Sequence, residues 1–224
     1  YIFLLLPLIG FNFLLGGTSG LIYGLILNLK GFMLYLIDYA KILFKVIYRN
    51  GNPIQIVNFI TARCNLRCNH CFYKDTLDAK DPGEMNLPII NEYTKNFGSV
   101  LWYALGGGEP FIRSDLYKLY ERVETNCRPK VFTIPTNGWY KDKIFLSTLR
   151  MLQFSKGKRP IIIQFSLDGN QEMHDQIRGD KSHEKVLESL ELLKKLQTIY
   201  KQLHFSVITV VTNENRDIYP KLID

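Results

Sequence analysis

The 224-residue chain has few cysteines, no internal repeat and no low-complexity tract. Its four cysteines are too few and too unevenly spaced for the disulfide framework of a small secreted protein, which indicates a reducing compartment. The formal charge of +7 is not gathered into a basic stripe with interleaved aromatic residues, so no nucleic-acid partner is expected. Hydrophobic residues make up 46% of the chain, which excludes a disordered protein and allows a sizeable core.

Charged residues are absent from residues 1–29, which form an apolar stretch divided by a glycine-rich break. A bilayer span needs about 20 mostly apolar residues, so the length is sufficient, although a proline and several glycines weaken a single straight helix. In residues 32–49 the polar side chains fall on one narrow helical stripe, which is typical of a helix on a membrane surface or in a core. We expect residues 1–50 to form a hydrophobic helical segment that either associates with the cytoplasmic membrane face or packs as an N-terminal element.

A turn at residues 50–53 separates this segment from the rest of the chain. Beyond it, short runs rich in Ile, Val, Phe and Tyr, typical of buried parallel strands, alternate with helical stretches. The predicted strands are residues 54–61, 99–105, 130–135, 160–167 and 203–212. The predicted helices begin after Asn86, at Ser114 or Asp115 (ending at Val123), at Lys141 (ending at Leu152) and at Ser182 (ending at Tyr200). The alternation predicts a parallel α/β domain over residues 51–224, with right-handed crossovers.

Three of the cysteines, Cys64, Cys68 and Cys71, lie within eight residues of sequence. Three thiolates this close can hold one metal centre, and sulfur ligands suit zinc or an iron–sulfur cluster. A structural zinc site is closed by a fourth ligand, usually from a second Cys or His pair, and the chain offers no second cysteine pair. On a helix the outer two thiols would be about 10 Å apart along the axis, so a loop wrapped around the centre is expected.

The Cys-x₃-Cys-x₂-Cys spacing, with His70 in the aromatic position before Cys71, resembles the signature of the radical S-adenosylmethionine (radical SAM) superfamily. The resemblance implies that the three cysteines bind three irons of a [4Fe–4S] cluster and that S-adenosylmethionine chelates the fourth. It implies reductive cleavage of S-adenosylmethionine and hydrogen abstraction by a 5′-deoxyadenosyl radical from a peptide or another organic substrate. It also implies a partial (β/α)6 TIM-like barrel, with about five βα units present and the sixth strand beyond Asp224.

A glycine-rich motif follows the second predicted strand, at the end where parallel barrels place their chemistry. Gly107 and Gly108 let a ligand approach the backbone closely, Glu109 adds an acceptor, and Pro110 stiffens the exit. The motif resembles the Gly-Gly-Glu-Pro of radical SAM proteins, which implies that it binds the amino group of S-adenosylmethionine. A flexible turn is the plain alternative.

Polar residues also follow the third and fourth predicted strands. Thr136 and Asn137 begin a Thr-Asn-Gly run, which is either an ordinary turn or, by resemblance, a segment near the cofactor. Alternation places Ser166 and Asp168 on one side of the fourth strand. A hydroxyl and a carboxylate at this end of the strand are suited to bind ribose hydroxyls or to serve acid/base steps. The resemblance implies that Ser166 lies near the ribose and Asp168 near the substrate, whereas an Asx turn would also explain Asp168.

The stretch from His174 to Gly179 resembles the His-x₃-Arg-Gly of peptide-modifying and molybdopterin-related radical SAM enzymes. The resemblance implies that Arg178 reaches the carboxylate of S-adenosylmethionine, for which a guanidinium fork is well shaped. His174 is expected to be structural. Asn213 and Asn215 lie at the end of the fifth predicted strand. An asparagine there, with Asn213 as the chosen residue, is expected to contact adenine, and a helix N-cap is the alternative.

The residues leave two other classes of protein open. One is a zinc-binding structural module, and the other is a membrane-bound iron–sulfur electron carrier, which gives no reason for the glycine-rich motif. A radical SAM enzyme would be an oxidoreductase that takes its electron from an external donor of the flavodoxin or ferredoxin type. It would work in the cytoplasm, either free or anchored to the membrane by its N-terminal segment.

Overall fold

The computed structural model describes residues 40, 44 and 48, which are helical, and residues 53–77, 84–156 and 159–217. The chain divides into two compact units, residues 1–48 and residues 49–224. In the first unit the exposed rings of Phe44 and Tyr48 are stacked obliquely, with centroids 4.1 Å apart. The expectations for residues 1–29 fall outside the described residues. Within the described parts of the chain, no helix combines the length and the apolar character needed to cross a bilayer.

In the second unit, strands and helices alternate along the chain. The strands are β1 (Gln55–Phe59), β2 (Trp102–Gly106), β3 (Val131–Thr136), β4 (Ile161–Ser166) and β5 (Leu203–Ile208). The α-helices are α1 (Leu87–Lys95), α2 (Leu116–Cys127), α3 (Lys141–Ser155), α4 (Gln171–Arg178) and α5 (Ser182–Ile199). A single 3-10 turn, Pro110–Ile112, follows β2.

The five strands form one sheet in the order β1-β2-β3-β4-β5, and every pair of neighbours is parallel. Each strand therefore pairs with the strand that precedes it in the chain. Right-handed crossovers of this kind place the connecting helices on the same face of the sheet, as in a TIM-like barrel. The predicted partial TIM-like α/β architecture, with five parallel strands that alternate with helices, is confirmed.

The two faces of the sheet are covered to different extents. In β4, Ile161, Ile163 and Phe165 are buried on the face that packs against the helices, whereas the alternate residues are half-buried. In β1 the second face is more open, because Val57 and Phe59 are 52% and 50% exposed. Successive strand residues point to opposite faces, so one face forms the core, and the other is open and apolar only at its β1 end.

The ends of several elements differ from the predicted ones for local reasons. The fifth strand was expected to reach residue 212, but β5 ends at Ile208, since the backbone N–H of Val210 is bound by a carboxylate of the β4 loop.

Helix α4 was not predicted. It begins after Asn170, whose side chain accepts from the backbone N–H of Met173, and it ends at Gly179, where φ is +126°.

Candidate functional site

The three clustered cysteines lie on a loop that follows β1 at the carboxyl edge of the sheet. Cys64 and Cys71 are half-buried, Cys68 is buried, and all three are free thiols. The spacing of the cysteines predicted a loop, and residues 64–71 indeed contain no helix. Within this loop the Cys71 N–H donates to the carbonyl of Cys68 at 3.1 Å. The loop is attached to α4, because the N–H of Asn69 donates to the carbonyl of Ile177 at 3.0 Å.

The glycine-rich motif packs its backbone directly against the start of this cysteine loop. Gly108 N–H donates to the carbonyl of Thr61 at 2.8 Å, and Glu109 N–H donates to that of Arg63 at 2.9 Å. A Cβ at Gly107 would lie 2.2 Å from the Thr61 carbonyl oxygen, and one at Gly108 would lie 2.2 Å from that of Arg63. Gly107 also has φ of +131°, which side chains rarely adopt. Glycine is therefore needed here for two backbones to meet.

Glu109 is fully buried and joins the ends of β2 and β3. Its Oε1 accepts from the Phe111 N–H at 3.2 Å and from the Thr136 hydroxyl at 3.0 Å, and its Oε2 accepts from the Asn137 N–H at 2.7 Å. Burial raises the pKa of Glu109 to about 7, against the opposing effect of these three donors. Pro110, also buried, begins the 3-10 turn that Glu109 caps.

Asn137 connects the end of β3 to the first cysteine. Its Nδ2 donates to Asn65 Oδ1 at 2.9 Å and lies 3.8 Å from Cys64 Sγ. The backbone N–H of Leu66 lies 3.5 Å from the same sulfur. Burial raises the pKa of the Cys64 thiol. Neutral N–H groups therefore approach this sulfur from two directions.

A buried ion pair joins the β4 loop to the second cysteine. Asp168 Oδ2 accepts from Arg178 Nε at 2.6 Å, and Oδ1 accepts from the Val210 N–H at 2.9 Å. Arg178 Nη1 lies 3.9 Å from Cys68 Sγ, and His70 Nε2 lies 3.8 Å from Asp168 Oδ2. Burial raises the pKa of the Cys68 thiol and lowers that of His70. Residues from three separate motifs thus meet at one place.

His174 and Asn215 support the β4 loop from behind. His174 Nδ1 accepts from the Asp168 N–H at 3.1 Å, so the ring is neutral with its proton on Nε2. Burial lowers the pKa of His174 to about 4. The Asn215 amide donates to the carbonyls of Asp168 and Val210, each at 2.9 Å. Its own Oδ1 accepts from the Thr212 N–H at 2.7 Å.

The structure brings most, but not all, of the predicted site residues to the cysteine loop. Ser166 is half-buried at the end of β4, and Asn213 is exposed, whereas Asn215 two residues later is buried. Sequence reasoning placed Asn215 beside Asn213 as a candidate adenine contact and Asn65 in the cysteine loop, but it did not predict that either side chain joins neighbouring loops. An asparagine directly after a cysteine, or in the turn after a strand, is too ordinary a signal to select either one.

The donor set fits an iron–sulfur cluster. Each thiolate of such a cluster binds a different iron, so three free thiols spread along one loop are suitable ligands. The described residues contain no group of three His, Cys, Asp or Glu side chains arranged around a single ion. On the same loop, two buried polar atoms, Asn65 Nδ2 and His70 Nδ1, have no hydrogen-bond partner within the described residues. Buried polar atoms normally have partners, so these two atoms are suited to face a bound group.

Comparison with known proteins agrees with this geometry. Residues 58–224 match the Radical SAM superfamily. Mycofactocin maturase MftC of Mycolicibacterium smegmatis is 30% identical over 170 residues, 74% of this chain and 39% of the relative. The cysteine-type anaerobic sulfatase-maturating enzyme of Clostridium novyi is 27% identical over 181 residues, 73% of this chain and 45% of the relative. The chain therefore spans less than half the length of these curated relatives.

Solved structures share the fold. The structure of native anSMEcpe with bound AdoMet superposes with a TM-score of 0.53 at 24% identity, covering 76% of this chain and 49% of that chain. Native anSMEcpe with bound AdoMet and the Cp18Cys peptide superposes with a TM-score of 0.52 at 22% identity, covering 77% and 48% of the two chains. The sheet and its helices therefore have the arrangement found in these structures.

Proposed function

Since this chain belongs to the radical SAM superfamily, we propose that it is an oxidoreductase that cleaves S-adenosylmethionine reductively and abstracts hydrogen from a peptide. The observation that carries the proposal is the meeting of three free thiols with the glycine-rich loop and the Asp168–Arg178 pair. When bound, a [4Fe–4S] cluster would supply the electron for this cleavage, drawn from an external flavodoxin or ferredoxin.

The side chains around the loop have capacity left for S-adenosylmethionine. A carboxylate has about four lone-pair sites, and Glu109 uses three of them within the protein, which leaves one for an amino group. Arg178 uses Nε for Asp168 and directs Nη1 at Cys68. Its Nη2 then remains, as far as the described residues go, for the ligand carboxylate. These two residues would hold the two ends of the amino-acid part of the cofactor.

The other predicted residues would have supporting roles. Gly107, Gly108 and Pro110 fix the position of Glu109, and Thr136 and Asn137 bind its two oxygens. Ser166 would face the ribose, His70 would close the cysteine loop over the cofactor, and Asn213 would approach adenine from the exposed edge. Asp168 was expected to act as an acid or base. Its pairing with Arg178 favours positioning of that guanidinium instead.

A peptide is the substrate class that we favour over a small organic molecule. One of the similar structures is a complex with a peptide, and two relatives are named for maturation, one of them of sulfatases. The β1 end of the sheet also offers apolar surface, since Val57 and Phe59 are about half exposed. The Phe59 ring contacts those of Phe72 and Tyr73, just after Cys71. Exposed apolar surface of this kind is suited to bind part of a polypeptide.

We further propose that residues 1–50 associate with the cytoplasmic membrane face and that residues 51–224 form the catalytic core. The support is the uncharged stretch of residues 1–29 and the presence of unpaired cysteines, which suits a reducing compartment. Fractionation with high-salt and carbonate washes tests the membrane association. Complete recovery in the soluble fraction would exclude it.

Anaerobic reconstitution tests the proposed activity. The protein is loaded with iron and sulfide, reduced with dithionite, and incubated with S-adenosylmethionine. We expect a brown protein with about four irons, and 5′-deoxyadenosine among the products. A protein that binds zinc and stays colourless would instead be the structural module. A brown protein that neither binds nor cleaves S-adenosylmethionine would be the electron carrier.

A further inference from the structure

Arg178 is held between a carboxylate and a cluster cysteine. Its side chain is 9% exposed and that of Asp168 is 0% exposed, so both charges are removed from water. The 2.6 Å bond from Nε to Asp168 fixes the plane of the guanidinium, and Nη1 then lies 3.9 Å from Cys68 Sγ. The cation is therefore placed beside the sulfur by a rigid partner.

We propose that Arg178, positioned by Asp168, raises the reduction potential of the iron–sulfur cluster by placing a positive charge beside Cys68. This inference rests on the proposed function, because it assumes the cluster. It adds a role for Arg178 that is separate from binding the cofactor carboxylate. Arg178 is a positioning and tuning residue in this role, since it acts through the thiolate and not on the reacting atoms.

The physical reason is the change of charge on reduction. The cluster and its thiolates gain one negative charge when they take one electron from the external donor. A nearby cation stabilises the more negative reduced form more than the oxidised form, and this raises the potential. The effect is large only where solvent does not screen the charge, and burial of Arg178 provides this condition.

Cys64 and Cys68 differ in the charge of the groups that approach their sulfur atoms. Cys64 is approached by neutral groups, the Leu66 N–H at 3.5 Å and the Asn137 amide at 3.8 Å. Cys68 is approached by a guanidinium that carries a full charge. Hydrogen bonds to cluster sulfurs and local charge both affect the potential, and the charged contact has the longer reach. The side of the cluster held by Cys68 is therefore where one substitution has the greatest effect.

The experiment measures the potential and not the activity. Wild-type protein and the variants R178Q, R178K and K74Q are reconstituted, and the cluster is titrated with dithionite and mediators under EPR without S-adenosylmethionine. We expect a more negative midpoint in R178Q and a midpoint closer to wild type in R178K, which keeps the charge. K74Q removes one exposed cation three residues after Cys71 and should keep the wild-type midpoint.

The outcomes separate this inference from the proposed function. Wild-type protein without iron and sulfide after reconstitution would contradict the proposed function itself. An R178Q protein with a full cluster and the wild-type midpoint would contradict the inference alone. If R178Q binds no cluster, D168N provides the test, because an amide oxygen at position 168 can still accept from Arg178 Nε, while the charge of the guanidinium beside Cys68 is no longer offset. Its midpoint should be more positive than that of wild type, and an unchanged value would overturn the inference.

Discussion

Arg178 and Asp168, ten residues apart in sequence, form a buried ion pair that connects the two ends of the segment containing α4. Removal of one partner leaves the other charge buried without compensation, which typically costs about 3–5 kcal/mol. We therefore expect D168A to lower the free energy of unfolding by about this amount in urea titrations. Asp180 is exposed on the same connection, so D180A is the matched control and should differ little from wild type. Equal stability of the two variants would contradict the buried pair.

Substitutions of Cys68 and Cys127 distinguish the proposed cluster ligands from the cysteine in the core. We expect C68A to lose most of the iron bound on reconstitution and to produce no 5′-deoxyadenosine, because one corner of the cluster loses its ligand. Cys127 is buried in the core, where its thiol contacts the Thr94 carbonyl at 3.5 Å. C127A should lower stability by about 1–2 kcal/mol but keep the iron content. Wild-type turnover in C68A would refute the cluster assignment.

A substitution at Gly108 tests whether the backbone of the glycine-rich motif packs directly against that of the cysteine loop. An alanine Cβ at this position would overlap the Arg63 carbonyl oxygen, which lies on the main chain and cannot rotate away. We expect G108A to lower the free energy of unfolding by roughly 1–3 kcal/mol or more, the usual cost of overpacking. It should also reduce iron loading, because the cysteine loop is displaced. At Gly169 the nearest atoms to the new Cβ would be Cβ and Cγ of Met173, both at 2.9 Å, which is a smaller overlap than the 2.2 Å approach to a carbonyl oxygen at Gly108. G169A should therefore be milder, and an equal loss in both variants would contradict the argument.

His174 makes a contribution to the free energy of unfolding that is lost in acid. Its folded pKa of about 4 lies below the ordinary 6.5, so the folded state binds fewer protons in this window. The contribution is present above pH 6.5 and is lost as the pH falls towards 4, with a limit of about 3 kcal/mol. We expect the stability difference between wild type and H174Q to shrink over this range in urea titrations. A difference that stays constant with pH would show that His174 is not shifted.

Glu109 makes a contribution to the free energy of unfolding whose pH dependence is opposite to that of His174. Its folded pKa of about 7 lies above the ordinary 4.5, so its contribution is present below pH 4.5 and is lost as the pH rises through 7. Wild type should therefore gain stability relative to E109Q on acidification, by up to about 3 kcal/mol. The same titrations measure both residues, and the two effects largely cancel in wild type. A difference between wild type and E109Q that grows with rising pH would contradict the raised pKa.

The sheet was predictable because apolar runs and helical stretches alternate regularly along the sequence. The end of β5 was not, because it depends on Asp168, which takes the N–H of Val210 away from the strand ladder. Helix α4 has only eight residues and little apolar character, so neither its length nor its pattern marked it. Short elements of this kind are fixed by their caps and by tertiary contacts.

The members of the site were mostly predictable, but their mutual contacts were not. Motifs after parallel strands meet at one edge of a sheet, so Glu109, Asn137 and Asp168 could be expected near the cysteines. That Glu109 is engaged by the backbone of the β3 loop depends on how two loops fold over one another. The burial of Asn215 in place of Asn213 depends on a turn of a few residues. Neither detail has a signature in a single sequence.

The two main-chain bonds from Gly108 and Glu109 to the cysteine loop are made by protein atoms alone. The entrance of the loop is thus set before any iron arrives. Iron and sulfide would then be inserted into a loop that is already folded, so assembly of the inorganic centre need not accompany folding of the polypeptide. Protein that has lost its metal to air should then regain it without being unfolded first.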